Sequence, residues 1–136
     1  MGVVIYTDGG ARGNPGPAGI GVVIEENGVM IAEFGKYIGD KITNNWAEYE
    51  ALVLALMEAE KLGLTKKTIE IRMDSELIVR QMQGVYKVKD KDLKVQYARV
   101  RELLSDFTAV EFVHIPREKN KEADRLVNEA IDSVKL

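Results

Sequence analysis

The sequence predicts an α/β fold: a five-stranded mixed sheet, antiparallel through its first three strands, with helices on both faces in the order β-β-β-α-β-α-α-β-α. Three observations predict it. Apolar, β-branched runs punctuated by turn residues fill the first part of the chain. From Asn44 the apolar period changes from that of a strand to that of a helix. Beyond Gly63, strand and helix patterns alternate.

Taken in order, the first strand is Val3 to Thr7, ending at Asp8-Gly9-Gly10, and the glycine- and proline-rich stretch from Gly9 to Gly19 turns the chain back. The second strand, Ile20 to Glu25, and the third, Met30 to Ile38, flank Asn27-Gly28, a pair that tolerates positive φ and so marks a tight hairpin. Ala47, Leu52, Leu54, Ala55 and Leu56 belong to an alanine- and leucine-rich helix from Asn44 to Leu62, stopped by Gly63. Thr68 to Met73 reads as the fourth strand, Ser75 to Gln83 as a short helix and Lys91 to Leu104 as another. In the fifth strand, Ala109 to Ile115, alternation puts Val110, Phe112 and His114 on one face; Lys119 to Val134 is the final helix. No repeat or linker interrupts the pattern, so residues 1–136 are expected to form a single domain.

Composition narrows the chemistry. The chain has 136 residues and is 46% hydrophobic, enough for one core without disulfides or structural metal. With no cysteine and one histidine, thiolate catalysis, Cys/His zinc sites and iron-sulfur clusters are excluded. Any metal must be held by oxygen, which suits magnesium, manganese or calcium. The three serines, Ser75, Ser105 and Ser133, lie in no Gly-x-Ser-x-Gly elbow, and Gly13 and its neighbours lack a P-loop's Gly-Lys-Ser/Thr ending. The N-terminus has neither the positive start nor the long apolar stretch of a secretory signal, and no apolar run approaches membrane-spanning length; a cytoplasmic address and no membrane partner are expected. Nothing demands a partner surface, so a monomer is expected as well.

The net charge of −3 argues against a nucleic-acid partner, but its distribution does not. Between Gly84 and Arg101 six basic residues, Lys87, Lys89, Lys91, Lys94, Arg99 and Arg101, face two acidic ones, Asp90 and Asp92, a local excess of four positive charges. Such a run is either a binding patch or a solvated face.

Four acids fall where elements begin or end: Asp8 closes the first strand, Asp74 follows the fourth, Glu48 lies one turn inside the first helix and Asp124 lies early in the last. Strand ends and the helix N-termini beside them are where sites form in α/β sheets. Clustered carboxylates repel and raise one another's pKa unless a cation neutralises them. Two ions roughly 3.5–4 Å apart would do so, and would also cleave phosphodiesters, one aiming a hydroxide and the other stabilising the leaving oxygen. Taken singly, each acid is as well read as a cap or an exposed charge, since the chain has 22 of them.

Sequence context supplies what spacing does not. Tyr6-Thr7-Asp8-Gly9-Gly10 with Gly13-Asn14-Pro15-Gly16-Pro17, then Thr43-Asn44-Asn45-Trp46-Ala47-Glu48, then Met73-Asp74-Ser75, and finally Asn120-Lys121-Glu122-Ala123-Asp124 resemble the motifs of the ribonuclease H family, type one, in the family's order over nearly the whole chain. The resemblance implies the ribonuclease H-like fold and an endonuclease that hydrolyses the RNA strand of RNA/DNA hybrids with two Mg²⁺ ions, Mn²⁺ being a possible substitute, leaving 5′-phosphate and 3′-hydroxyl ends. It implies that Asp8 bridges both ions, that Asp124 serves the water side, and that Glu48 and Asp74 serve the leaving-group side. Glu48 would also accept from the RNA 2′-hydroxyl, the group that separates RNA from DNA.

By the same resemblance Asn14, Asn44 and Asn45 would touch the hybrid in its minor groove, and Thr43 would grip a DNA-strand phosphate. A local reading stands beside this one: Asn14 suits a turn, and Thr43 or Asn44 a helix N-cap. Gly9 and Gly10 either admit the ribose-phosphate chain or form a tight turn, Ser75 belongs to the Asp74 motif, and Arg12 could add charge near the phosphate. His114 precedes Asp124 by ten residues, the family spacing of a histidine that assists proton transfer or product release. It is followed here by Ile115-Pro116-Arg117, so His114 is either functional or structural and Arg117 competes for the phosphate.

The chain departs from many relatives in three further ways. The Gln83 to Leu93 connection is too short for the extra basic helix that grips the hybrid, with Tyr86, Lys87, Lys89 and Lys91 as partial substitutes, and no N-terminal hybrid-binding module is expected. Glu76 stands where many relatives carry a substrate-contacting glutamine. Two rival readings are a non-catalytic hybrid-binding domain of the same fold and a DNA-acting enzyme of the wider fold, such as a resolvase or integrase, for whose DNA-positioning additions the chain has little room.

Overall fold

Alternating apolar residues in the first part of the chain form three long antiparallel strands: β1 (Val3–Ala11), β2 (Gly16–Glu26) and β3 (Val29–Ile42). They are seen in a computed structural model that describes residues 2–134. The β2–β3 hairpin turns through Asn27 (φ 53°) and Gly28 (φ 81°), two positive φ values as in a type I′ turn. Helix α1 (Asn44–Lys61) then crosses to β4 (Thr68–Met73), which pairs parallel to β1. Two helices, α2 (Glu76–Met82) and α3 (Lys91–Leu104), lead to β5 (Ala109–His114), parallel to β4; a 3₁₀ turn at Arg117–Lys119 and helix α4 (Lys121–Asp132) follow. The sheet order is β3-β2-β1-β4-β5. No helix among the described residues is long and apolar enough to cross a membrane.

Period-two alternation gives the sheet two different faces. Ile20, Val22 and Ile24 of β2 join Val3 and Ile5 of β1 and Ile69 and Ile71 of β4 in a core capped by Tyr49, Leu52 and Leu56 of α1. Helix α1 is sandwiched between the sheet and α3, which is why it is buried on most of its circumference and shows no narrow apolar stripe. On the opposite face, α4 presents Ala123, Leu126, Val127, Ala130 and Ile131, an i, i+3, i+4, i+7, i+8 pattern, to β2 and β3. It lies unusually close. A Cβ on Gly21 would sit 2.2 Å from the Ala123 carbonyl oxygen, and one on Gly35 would sit 2.6 Å from that of Leu126.

Several boundaries differ from expectation, each for a local reason. β1 does not end at Thr7: Asp8, Gly9 and Gly10 continue it, paired with Gly21, Ile20 and Gly19, so the two glycines are strand residues and not a tight turn. The turn is confined to residues 12–15, and β2 starts at Gly16. β3 runs on to Ile42 because its partner strand β2 is correspondingly longer, with register irregularities around Ala18. β5 ends at His114, one residue early, and Lys119 belongs to the 3₁₀ turn, so that α4 starts at Lys121.

Candidate active site

Beyond Tyr6, paired with Arg72, β1 and β4 no longer pair, and β1 continues alone beside β2. The first turn of α1 occupies this opening. Thr43 caps the helix, its hydroxyl oxygen accepting from the Trp46 N–H at 3.3 Å, and Asn14 adds a second cap by accepting from the Asn44 N–H at 2.8 Å. Gly9 makes the approach possible, because a Cβ there would lie 2.3 Å from the Ala47 carbonyl oxygen. The Gly9 amide donates to Asp8 Oδ1 and to Glu48 Oε1, both at 3.0 Å, and so ties the strand acid to the helix acid.

Asp74 comes in from the end of β4. Asp8, Glu48 and Asp74 each present a carboxylate oxygen within 4.8 Å of the other two. Two full charges at that distance repel by roughly 3.5 kcal/mol at an effective dielectric near 20, so the metal-free cluster must take up protons or cations. The pKa shifts agree. Burial, then the charges of Asp74 and Asp124, push the Asp8 carboxyl up to about 8, and burial with Asp8 and Asp74 raises Glu48 well above the usual carboxylate range. Asp74 Oδ1 is buried without a hydrogen-bond partner among the described residues, an acceptor suited to a cation. Three convergent oxygens with no nitrogen or sulfur donor fit a hard divalent ion.

Asp124, half-buried on α4, stands just outside this tight group but close enough to Asp8 to raise its pKa. Arg117, with 80% of its side chain exposed, reaches to 4.0 Å from Asp124 Oδ1. The four acids open into one cleft of about 310 Å³, whose walls include Gly9, Gly10, Arg12, Asn44 and Arg117. A second depression, of about 390 Å³, collects Asn14, Thr43 and Asn45 with Trp46 at the N-terminus of α1.

The remaining predicted residues divide by what already holds them. Asn44, inside the helix that Thr43 caps, accepts at Oδ1 from the Ala11 N–H at 2.8 Å and so ties α1 to β1 instead of capping it, and Ser75 Oγ accepts from the Ile78 N–H at 3.3 Å as the N-cap of α2. Gly10 has room for a Cβ, with its nearest neighbours 3.9 Å away or more. Arg12 donates to Asp132 Oδ1 at 2.6 Å and to Asn128 Oδ1 at 3.2 Å, which anchors it to α4. His114 is exposed at the end of β5, opposite Met73, and is not on the wall of the acidic cleft. Glu76 is exposed and pairs with Arg80 at 3.7 Å.

Sequence reasoning missed some of the surroundings. Asn128 lines the cleft one helical turn after Asp124, a position that i, i+4 spacing could have flagged. Asp90 and Asp92 line the second depression, although the sequence reading assigned them to a basic run. Within that run Arg99 pairs with Glu50 at 2.8 Å and Arg101 donates to the Met82 carbonyl at 2.9 Å, while the exposed Lys87, Lys89, Lys91 and Lys94 make no side-chain hydrogen bond or ion pair among the described residues.

Comparison with known proteins places the chain among relatives. A family model described as reverse transcriptase-like matches residues 6–130. A bifunctional protein of Mycobacterium tuberculosis is 45% identical over 135 residues, which are 98% of this chain but 36% of that protein, so the chain spans about a third of the first curated relatives it matches. A ribonuclease H of Nitrosomonas eutropha is 33% identical over 150 aligned residues, covering 97% of this chain and 91% of the relative. Among solved structures, LC11-RNase H1 in complex with an RNA/DNA hybrid superposes with a TM-score of 0.92 at 57% identity, over 96% of this chain and 97% of that one.

Proposed function

Since the chain belongs to the ribonuclease H family, type one, we propose that it is an endonuclease that hydrolyses the RNA strand of RNA/DNA hybrids, leaving 5′-phosphate and 3′-hydroxyl ends. The observation that carries this reading is the convergence of Asp8, Glu48 and Asp74 within 4.8 Å, with Asp124 beside them in one open cleft. A relative of this fold solved with a hybrid supports the substrate class.

In this reading Asp8, Glu48, Asp74 and Asp124 hold the divalent cations, with Mg²⁺ as the natural ion, two being held when substrate is present, and Mn²⁺ as a substitute. When bound, the cations supply charge neutralisation and polarisation of the scissile phosphate and of the attacking water. The protein's own part is preorganisation. Asp8 is fixed on a central strand, Glu48 is oriented by the Gly9 N–H, and Asp74 offers a buried oxygen without a hydrogen-bond partner among the described residues. Glu48 keeps Oε1 on that N–H, which leaves its other oxygen for a cation or for a ribose 2′-hydroxyl. Arg117 is favoured over His114 as the cation beside the phosphate because it lines the cleft. Asn14, Thr43 and Asn45, in the adjoining depression, are assigned to the hybrid's other strand. A monomer acting in the cytoplasm completes the proposal.

The test is cleavage of a defined hybrid, with duplex RNA and duplex DNA as controls, with Mg²⁺ or chelator, for the wild type and Asp8→Asn. RNA-strand cleavage should need the ion and fall in the variant by more than about 100-fold, the upper range for losing an outer-shell partner alone. Undiminished cleavage by the variant would refute the four-acid mechanism. Tight hybrid binding by the wild type with no cleavage would favour a non-catalytic domain.

A further inference from the structure

Asp124 is the acid whose place depends most on tertiary packing, since it rides on a helix that shares no backbone pairing with β1. Asn120 bridges that gap. Its Nδ2 donates to the Thr7 carbonyl oxygen at 2.9 Å, in the peptide unit that leads into Asp8. Its own carbonyl oxygen accepts from the Asp124 N–H at 3.1 Å, as the first bond of α4. One residue therefore bonds the backbone of Asp124 and that of Thr7, the residue before Asp8. Gly21 works in the same direction: it is Asp8's cross-strand partner, and its missing side chain lets the Ala123 carbonyl come down onto β2.

The chemistry of Asn120 argues that this bridge is its role. The residue is 1% exposed, yet its Oδ1 has no hydrogen-bond partner among the described residues, and although it precedes α4 its side chain does not cap the helix. A buried amide left half-satisfied is poorer packing than an apolar residue of similar volume. Among the described residues the amide's hydrogen bond is the one to Thr7, and that bond is what the buried side chain contributes.

We propose that Asn120 is a positioning residue that sets the separation of Asp8 and Asp124, and through it the affinity of the site for divalent cations. This rests on the metal-dependent reading above. Outer-shell partners of this kind typically change metal affinity or activity by about 10–100-fold.

The test compares wild type, Asn120→Ala and, as a loosening control on the same helix, Leu126→Ala, whose side chain packs α4 against β3. Mn²⁺ binding to the protein without nucleic acid is measured by calorimetry, the Mg²⁺ dependence of hybrid cleavage by titration, and stability by thermal melting. Asn120→Ala should weaken Mn²⁺ binding by about tenfold or more and raise the half-saturating Mg²⁺ correspondingly, with cleavage recovering at high Mg²⁺. Leu126→Ala should lower the melting temperature and leave the metal titrations near wild type. Equal metal affinities in Asn120→Ala and wild type, or equal losses in both variants, would overturn the proposal. If Asn120→Ala shows no cooperative melting, Asn120→Ser, which keeps a donor on a shorter arm, is measured instead, with a smaller shift expected and no shift counting against it. A wild type that binds Mn²⁺ without cleaving hybrid would refute the nuclease reading and leave the Asn120 comparison intact.

Discussion

At the scale of single residues, the acidic cluster links protonation to stability. Asp8 has a carboxyl raised to about 8 against an ordinary value of 3.8, so between those values the folded protein binds a proton that the unfolded chain has released. That contribution is fully present at low pH and is lost as pH rises toward 8; Glu48, raised for the same reasons, acts in the same direction. In chelator, the melting temperature should therefore fall between pH 5 and pH 8. Divalent cations should restore it most at the alkaline end, and Asp8→Asn should flatten the profile. A pH-independent melting temperature in chelator would contradict this picture. The four acids were legible from their flanking motifs, which carry Gly9 with Asp8 and Asn45-Trp46-Ala47 with Glu48. The reason for Gly9 was not, because its constraint is an oxygen of Ala47, 38 residues away in sequence and in contact only once the fold forms. Nor was the anchoring of Arg12, since Asp132 lies at the far end of the chain.

At the scale of elements, periodicity located the five strands and four α-helices of the described residues, and β4 and α3 match their expected bounds, Thr68–Met73 and Lys91–Leu104. It failed where glycine hides a strand. Gly9, Gly10 and Gly19 look like turn material in sequence, yet they pair across β1 and β2; Gly9 makes room there for the first turn of α1 and Gly19 for α4. The start of α4 was misplaced because the 3₁₀ turn at Arg117–Lys119 carries the same charged composition as the helix it precedes. The close seat of α4 yields a prediction. Gly21→Ala would drive a Cβ to 2.2 Å from the Ala123 carbonyl, a backbone atom that cannot move without the helix, and overpacking of this kind costs roughly 1–3 kcal/mol. Denaturant unfolding checks it; a variant as stable as wild type would mean that α4 slides freely on the sheet.

At the scale of the whole molecule, affinity for a polyanion must come from placement of charge, since the net charge is −3. One run of exposed lysines lies on the α2–α3 connection and the start of α3: Lys87, Lys89, Lys91 and Lys94. If they meet hybrid phosphates, Lys87→Ala with Lys89→Ala should raise KM, leave kcat near wild type and lower the salt slope of binding by up to about two. An unchanged slope would make the run a solvated face.

Topology has one more consequence. Asp8, within β1, and Asp74, just past the end of β4, belong to adjacent parallel strands that cannot pair until α1 has crossed between them, and Asp124 arrives only with the last helix. No stretch that stops short of α4 contains all four acids. In the proposed reading, the emerging chain gathers its four acids only when the final helix has docked, so folding and the gain of reactivity are a single event.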